Sequence, residues 1–223
     1  MAVTDEAIEK IKEMIVSGAL RPGDRLPRES ELAAALGLSR SSLREAVRAL
    51  ALVRVLDVRH GDGTYVTSLD PGLLLEPLGF AVAFRRADSV PEFLAVRRVL
   101  EPAATAMAAV RIGEERLAEL AALLDGLGDE PSARRLAACD AEFHRGIARS
   151  AGNSVLCSLL EGVSGATVRA RAEGGPAHRD EVARALYEHR AILAALRDRD
   201  AEAARSWAAA HLAGTERWPR TAF

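Results

Sequence analysis

One stretch of the 223-residue chain, "VRVLDVRHGDGTYVT" at 53–67, alternates apolar and polar residues as paired β-strands do. "VRVLDVR" and "TYVT" read as two strands, and the glycines of "HGDG" between them suit a hairpin tip. What precedes the hairpin restricts the fold further. "DEAIEKIKEMIVSG" carries apolar residues at helical spacing and ends at Gly18. "LRPGDRLP" cannot continue a helix. "ESELAAALG" is a short helix closed by Gly37, and "SRSSLREAVRALAL" is the next, with Ser39 placed to cap it. Helix, turn, helix, helix and hairpin in that order describe a winged helix-turn-helix.

After "SLDPG" (68–72), a linker signal, the spacing is helical throughout. It predicts segments near 73–84, 90–111, 114–126, 131–150, 154–172, 178–198 and 200–215. The expected fold is mainly α: a winged helix-turn-helix over 1–69, then an all-α bundle of six to seven helices over 70–223.

In "LSRSSLREAVRAL", Leu43, Ala46, Val47 and Leu50 share one face, while Arg40, Arg44 and Arg48 recur every fourth residue on another, beside Ser41 and Ser42. Arginine forks onto guanine O6 and N7 or onto phosphate, and serine hydroxyls with helix N-terminal amides hold phosphate. His60 and Gly61 at the hairpin tip are small and polar enough to approach a minor groove. A net charge of −2 decides nothing, yet residues 21–59 hold eight arginines against five acids. An isolated arginine stripe reads more simply as a solvated face, and only the ordered context overturns that reading.

"IVSGALRPGDRLPRESELAAALGLSRSSLREAVRAL" followed by "HGDGTYV" resembles the DNA-binding domain of the GntR family of bacterial transcription regulators, over nearly all of residues 8–67. The resemblance implies that Arg40 and Arg44 read bases and that His60 and Gly61 serve the wing. Many members carry an arginine where this chain has Ser30; Arg28, two residues earlier, is the available substitute at the phosphate backbone.

The second half has its own polar pattern. Asp140 and His144 stand four residues apart in "CDAEFHRGIA", on the side that also carries Phe143, Ile147 and Ala151. His189 shares its face with Leu186, Ile192, Leu193 and Leu196, and His211 with Ala204, Trp207 and Ala208. His178 reads as a solvated residue at a loop–helix boundary. Any one inward histidine is explained by a core hydrogen bond. Three with an aspartate, on three helices, form a donor set for Zn²⁺, Ni²⁺ or Mn²⁺. Arg97 also points inward, and its partner is either Glu101 one turn on or an acidic ligand.

"VRRVLEPAATAMAA", "DAEFHRGIARSAGN", "YEHRAILAALRDRDAEAA" and "AAHL" resemble the FadR-type C-terminal domain of GntR regulators, the FCD domain, over most of residues 90–213. The resemblance implies that Asp140, His144, His189 and His211 ligate a divalent transition metal. It also implies that a small carboxylate effector binds on or beside the metal, held by Arg97 and Asn153; for Asn153 the simpler role is to cap the following helix.

The combined expectation is a homodimeric repressor, not an enzyme, that binds a short inverted repeat in double-stranded DNA and responds to an organic acid. Two rivals stand beside it: a metalloenzyme with a DNA-binding appendage, for which Glu142 and Glu188 are the nearby acids, and a scaffold with a structural metal. Two cysteines outside any paired motif, an acidic amphipathic N-terminus and the lack of a long apolar run predict a cytoplasmic location and no membrane partner. Heavy use of alanine and arginine, with lysine only at Lys10 and Lys12, points to a GC-rich bacterial genome.

Overall fold

The computed structural model describes residues 3–74, 90–128, 131–173 and 179–215, in two compact units, Met1–Pro77 and Leu78–Phe223. His178 and most of the helix expected over 73–84 lie outside the described residues.

In the first unit α1 (Val3–Val16), α2 (Glu29–Leu36) and α3 (Arg40–Leu52) precede an antiparallel pair, β1 (Leu56–Arg59) and β2 (Gly63–Val66). Ile11, Leu43 and Leu56, from α1, α3 and β1, are among the side chains sealed in its core. α2 ends where Gly37 turns left-handed at φ 66°, a conformation glycine adopts without strain. Ser39 caps α3, its Oγ accepting from the Ser42 amide at 3.1 Å.

The strand expected from Val53 starts instead at Leu56. The three residues before it close α3: Arg54 takes φ 61°, its amide donates to the Ala51 carbonyl, and the Val55 amide donates to the Leu50 carbonyl. This is a helix-ending motif normally built on glycine, and an arginine there leaves no sequence signal. The turn segment also does more than turn. Gly23 and Leu26 donate to Val66 and Thr64 carbonyls at 2.9 and 2.8 Å, so residues 23–26 run along β2. Arg25 then reaches the Asp62 carbonyl and Tyr65 donates to Asp62 Oδ2 at 3.0 Å. The wing tip is thus tied from behind, with His60 and Gly61 exposed in front.

The described residues of the second unit form six helices: α4 (Val90–Ala109), α5 (Glu114–Asp125), α6 (Ala133–Ser150), α7 (Ser154–Glu173), α8 (Arg179–Arg197) and α9 (Ala201–Thr215). α4 packs against α6, α7 and α9, while α8 packs against α5 and α9. Alanines at the buried positions of α4 and α9, among them Ala104, Ala108, Ala204 and Ala208, keep side-chain bulk off the approach of these helices. Phe143, Ile147, Ile192 and Leu196 fill the centre. α6, α8 and α9 therefore present their inner faces to one another, with α4 behind them.

Candidate metal centre

The helical period fixes what each element contributes. α6 supplies Asp140 and His144 one turn apart, α8 supplies His189 and α9 supplies His211. All four are buried, and one donor atom from each lies within 4.8 Å of the others. Asp140 is the hub: its Oδ1 stands 3.2 Å from His211 Nε2, 3.3 Å from His189 Nε2 and 3.8 Å from His144 Nε2. Phe143 closes one side, its ring 4.7 Å from that of His189 and edge-on to His144 at 5.7 Å.

Two further carboxylates hold the outer edges of the rings. Glu101, from α4, meets His144 Nδ1 at 3.1 Å and also takes the Arg97 guanidinium through Nε and Nη2. Glu188, from α8, meets His211 Nδ1 at 2.9 Å. Sequence periodicity identified Glu101 only as a partner of Arg97 and did not place Glu188 clearly on the ligand face; both contacts cross between helices.

These residues fit a divalent cation. A carboxylate can only accept, so Nδ1 of His211 carries the proton shared with Glu188 and Nε2 is left as a lone pair. That lone pair faces Asp140 Oδ1, an arrangement that a second proton or a cation resolves. His144 repeats the pattern, its Nε2 buried and without a hydrogen-bond partner. Burial holds the His144 imidazole well below its usual pKa despite the attraction of Asp140, and the neutral ring is the form that binds metal. Burial also raises the Glu101 carboxyl, against the pull of Arg97. Cys139, next to Asp140 in sequence, is an inert thiol: burial pushes it up to about 11.

The depressed His144 pKa sets a pH dependence for the metal-free protein. The unfolded chain takes up a proton below about pH 6.5 that the folded site refuses, so stability present above that value falls as the pH drops toward the folded pKa. Urea titrations in excess chelator between about pH 7.5 and 5 should show the loss. Metal loading should raise stability at neutral pH while leaving its fall on acidification at least as steep, because the metal keeps its imidazole ligands deprotonated. A flat profile would contradict a neutral buried His144.

Arg97 is 2% exposed and Glu101 supplies the intrachain ion pair. Asn153 is exposed, and its Oδ1 accepts from the Leu156 amide at 3.0 Å, capping α7. Glu142 is exposed beside Arg145, and Glu188 is engaged on the edge of His211 turned away from the centre, so neither is placed as a base at a metal-bound water. In the first unit Arg28, Ser39, Arg40, Ser41, Arg44, Arg48, His60 and Gly61 are exposed and Ser42 half-buried. Arg44 pairs with Glu29 of α2 at 2.9 Å and Arg48 with Glu45 at 2.8 Å.

Residues 3–66 match the family described as bacterial regulatory proteins, gntR family, and residues 92–214 match the FCD domain. The chain is 29% identical to the HTH-type transcriptional regulator LutR of Bacillus subtilis, over 91% of this chain and 94% of LutR. It is 27% identical to the galactonate operon transcriptional repressor of Escherichia coli, over 96% and 95%. The solved structure of a Streptococcus agalactiae GntR protein superposes with a TM-score of 0.69 at 28% identity, covering 96% of this chain and 99% of that one.

Proposed function

The chain belongs to the GntR family of bacterial regulatory proteins and carries an FCD domain, and on that premise we propose that it is a homodimeric repressor whose DNA binding is set by a small carboxylate bound at a metal centre. Its relatives are transcription regulators rather than enzymes, and DNA binding belongs to the family. The observation that carries the finer reading is the buried cluster of one aspartate and three histidines backed by Arg97 and Glu101.

When bound, a divalent cation such as Zn²⁺, Ni²⁺ or Mn²⁺ supplies a positive Lewis-acidic point for an anion. Asp140, His144, His189 and His211 would hold it, and four protein ligands leave positions open on a six-coordinate ion. An effector carboxylate there would share Arg97 with Glu101. Asn153, exposed and capping α7, would reach it only at the rim. α3 would enter the major groove, with Arg40, Arg44 and Arg48 toward the DNA, Ser39, Ser41 and Ser42 at the phosphates beside its N-terminus, and His60 and Gly61 at the wing. Arg28, exposed at the start of α2, would take a backbone phosphate.

Pairing of two copies answers to an inverted repeat, as two-fold symmetry requires. Val96 and Val99 are exposed on α4, in line with Ala103 and Met107 at helical spacing, and we assign this stripe to the second copy. Among the described residues no helix is long and apolar enough to cross a membrane.

An effector regulates only through unequal affinity for the DNA-competent and incompetent states. The test combines light scattering, anisotropy on DNA from the promoter beside the gene, and a panel of small organic acids with and without metal. A dimer that releases DNA to one of the acids only when metal-loaded supports the reading. Release indifferent to metal would overturn it.

A further inference from the structure

We propose that Glu188 is a positioning residue of the metal centre: it fixes Nε2 of His211 as the atom that meets the metal. The inference rests on the metal reading above and extends it beyond the four ligands.

Glu188 and His189 are consecutive on α8 and so point about 100° apart. His189 enters the centre, while Glu188 passes beside it to the ring contributed by the neighbouring helix. Its Oε2 meets His211 Nδ1 at 2.9 Å with only 12% of the side chain exposed. Its other oxygen lies 3.8 Å from Arg184 Nε, one turn back on α8. The same Arg184 donates through Nη2 to the Gly214 carbonyl at 3.1 Å, in the last turn of α9. From one face of α8, then, Glu188 meets the ligand His211 itself and Arg184 meets Gly214, about one turn further along α9.

The chemistry is asymmetric in a useful way. A neutral imidazole bears one proton, and the acceptor at Nδ1 decides where it sits. Without that acceptor His211 can place the proton on Nε2, toward Asp140, which removes the lone pair a metal needs. Glu101 does the same for His144, but it also neutralises the buried Arg97, so its removal strands a charge in the core. Glu188 has no such second duty. Arg184 is 41% exposed and can turn to water when Glu188 is lost, which makes this carboxylate the one whose metal role can be read separately from folding.

The experiment uses the full chain, freed of metal and titrated with Zn²⁺ against a chromophoric chelator. Wild-type protein that fails to take up Zn²⁺, Ni²⁺ or Mn²⁺ defeats the metal reading and this inference together. With wild-type binding in hand, Glu188→Ala should weaken Zn²⁺ affinity about 10- to 100-fold. Glu188→Gln should recover most of that loss, because its amide oxygen can still accept from Nδ1. The melting temperature of the metal-free variants should stay at the wild-type value, and the visible spectrum of Co²⁺-loaded protein should shift in the alanine variant and return in the glutamine one. Wild-type affinity in Glu188→Ala, or an affinity loss matched by a drop in metal-free stability, would overturn the assignment.

Discussion

Arg44→Ala is expected to abolish sequence-selective DNA binding while leaving metal uptake unchanged. Arg44 is exposed on α3, one turn from the serine-capped N-terminus, where a recognition helix meets base edges. Its guanidinium meets Glu29 across the surface, with both Nε and Nη2 directed at Glu29 Oε2. That exposed pair holds little of the fold together, so the variant should fold and melt as the wild type does. The loss on DNA is of another size. A bidentate arginine–guanine contact discriminates by about 5- to 150-fold, and a two-fold complex loses it twice. Anisotropy at fixed salt, with cognate and scrambled duplexes, reads the ratio directly. The cognate duplex should fall to the level of the scrambled one, with weak salt-sensitive binding left from Arg40, Arg48 and the wing. A variant that separates the two duplexes as well as the wild type does would remove Arg44 from base reading.

What the sequence disclosed depended on whether the information lay within one helix. The inward placement of Asp140, His144, His189 and His211 was legible because each shares a face with apolar neighbours, and the 3.6-residue period sorts faces without knowledge of the partner. The Arg97–Glu101 pair was legible for the same reason, being one turn apart. Glu188 was not. Periodicity reports its angle from the core side of α8, and it says nothing of a histidine 23 residues later that α9 brings alongside. The second contact of Glu101, to His144, was hidden in the same way. In the first unit, Gly37 announced the end of α2, while Arg54 ended α3 in the same left-handed conformation with no residue type to betray it. Pro22 and Gly23 likewise read as a turn, and only the tertiary fold shows the segment after them lying along β2.

Loss of His189 should empty the metal centre and disconnect DNA binding from the effector. The ring is 1% exposed, with Nε2 3.3 Å from Asp140 Oδ1 and its centre 4.4 Å from that of the tilted His211 ring and 4.7 Å from that of Phe143. Truncation to alanine removes one of four donors and opens a gap beside the other three, so the remaining imidazoles lose both a partner ligand and the wall that orients them. Metal analysis of purified His189→Ala should show far less than the stoichiometric metal expected of wild type. The energetic consequence follows from mass action: metal at about a thousand times its dissociation constant stabilises the holding state by roughly 4 kcal/mol, which for a unit of this size moves the melting temperature on the order of 10 °C. Wild-type protein should show that shift between chelator and added Zn²⁺, and His189→Ala should show almost none. Because the change is confined to the second unit, its affinity for DNA should survive, but the acids that release the wild type should no longer do so. Full metal content in the variant would take His189 out of the site, and an intact acid response without metal would place the effector elsewhere in the bundle. Retained DNA binding with a lost response is the outcome that ties sensing to these four side chains, because it separates the groove-reading arginines from the signal that governs them.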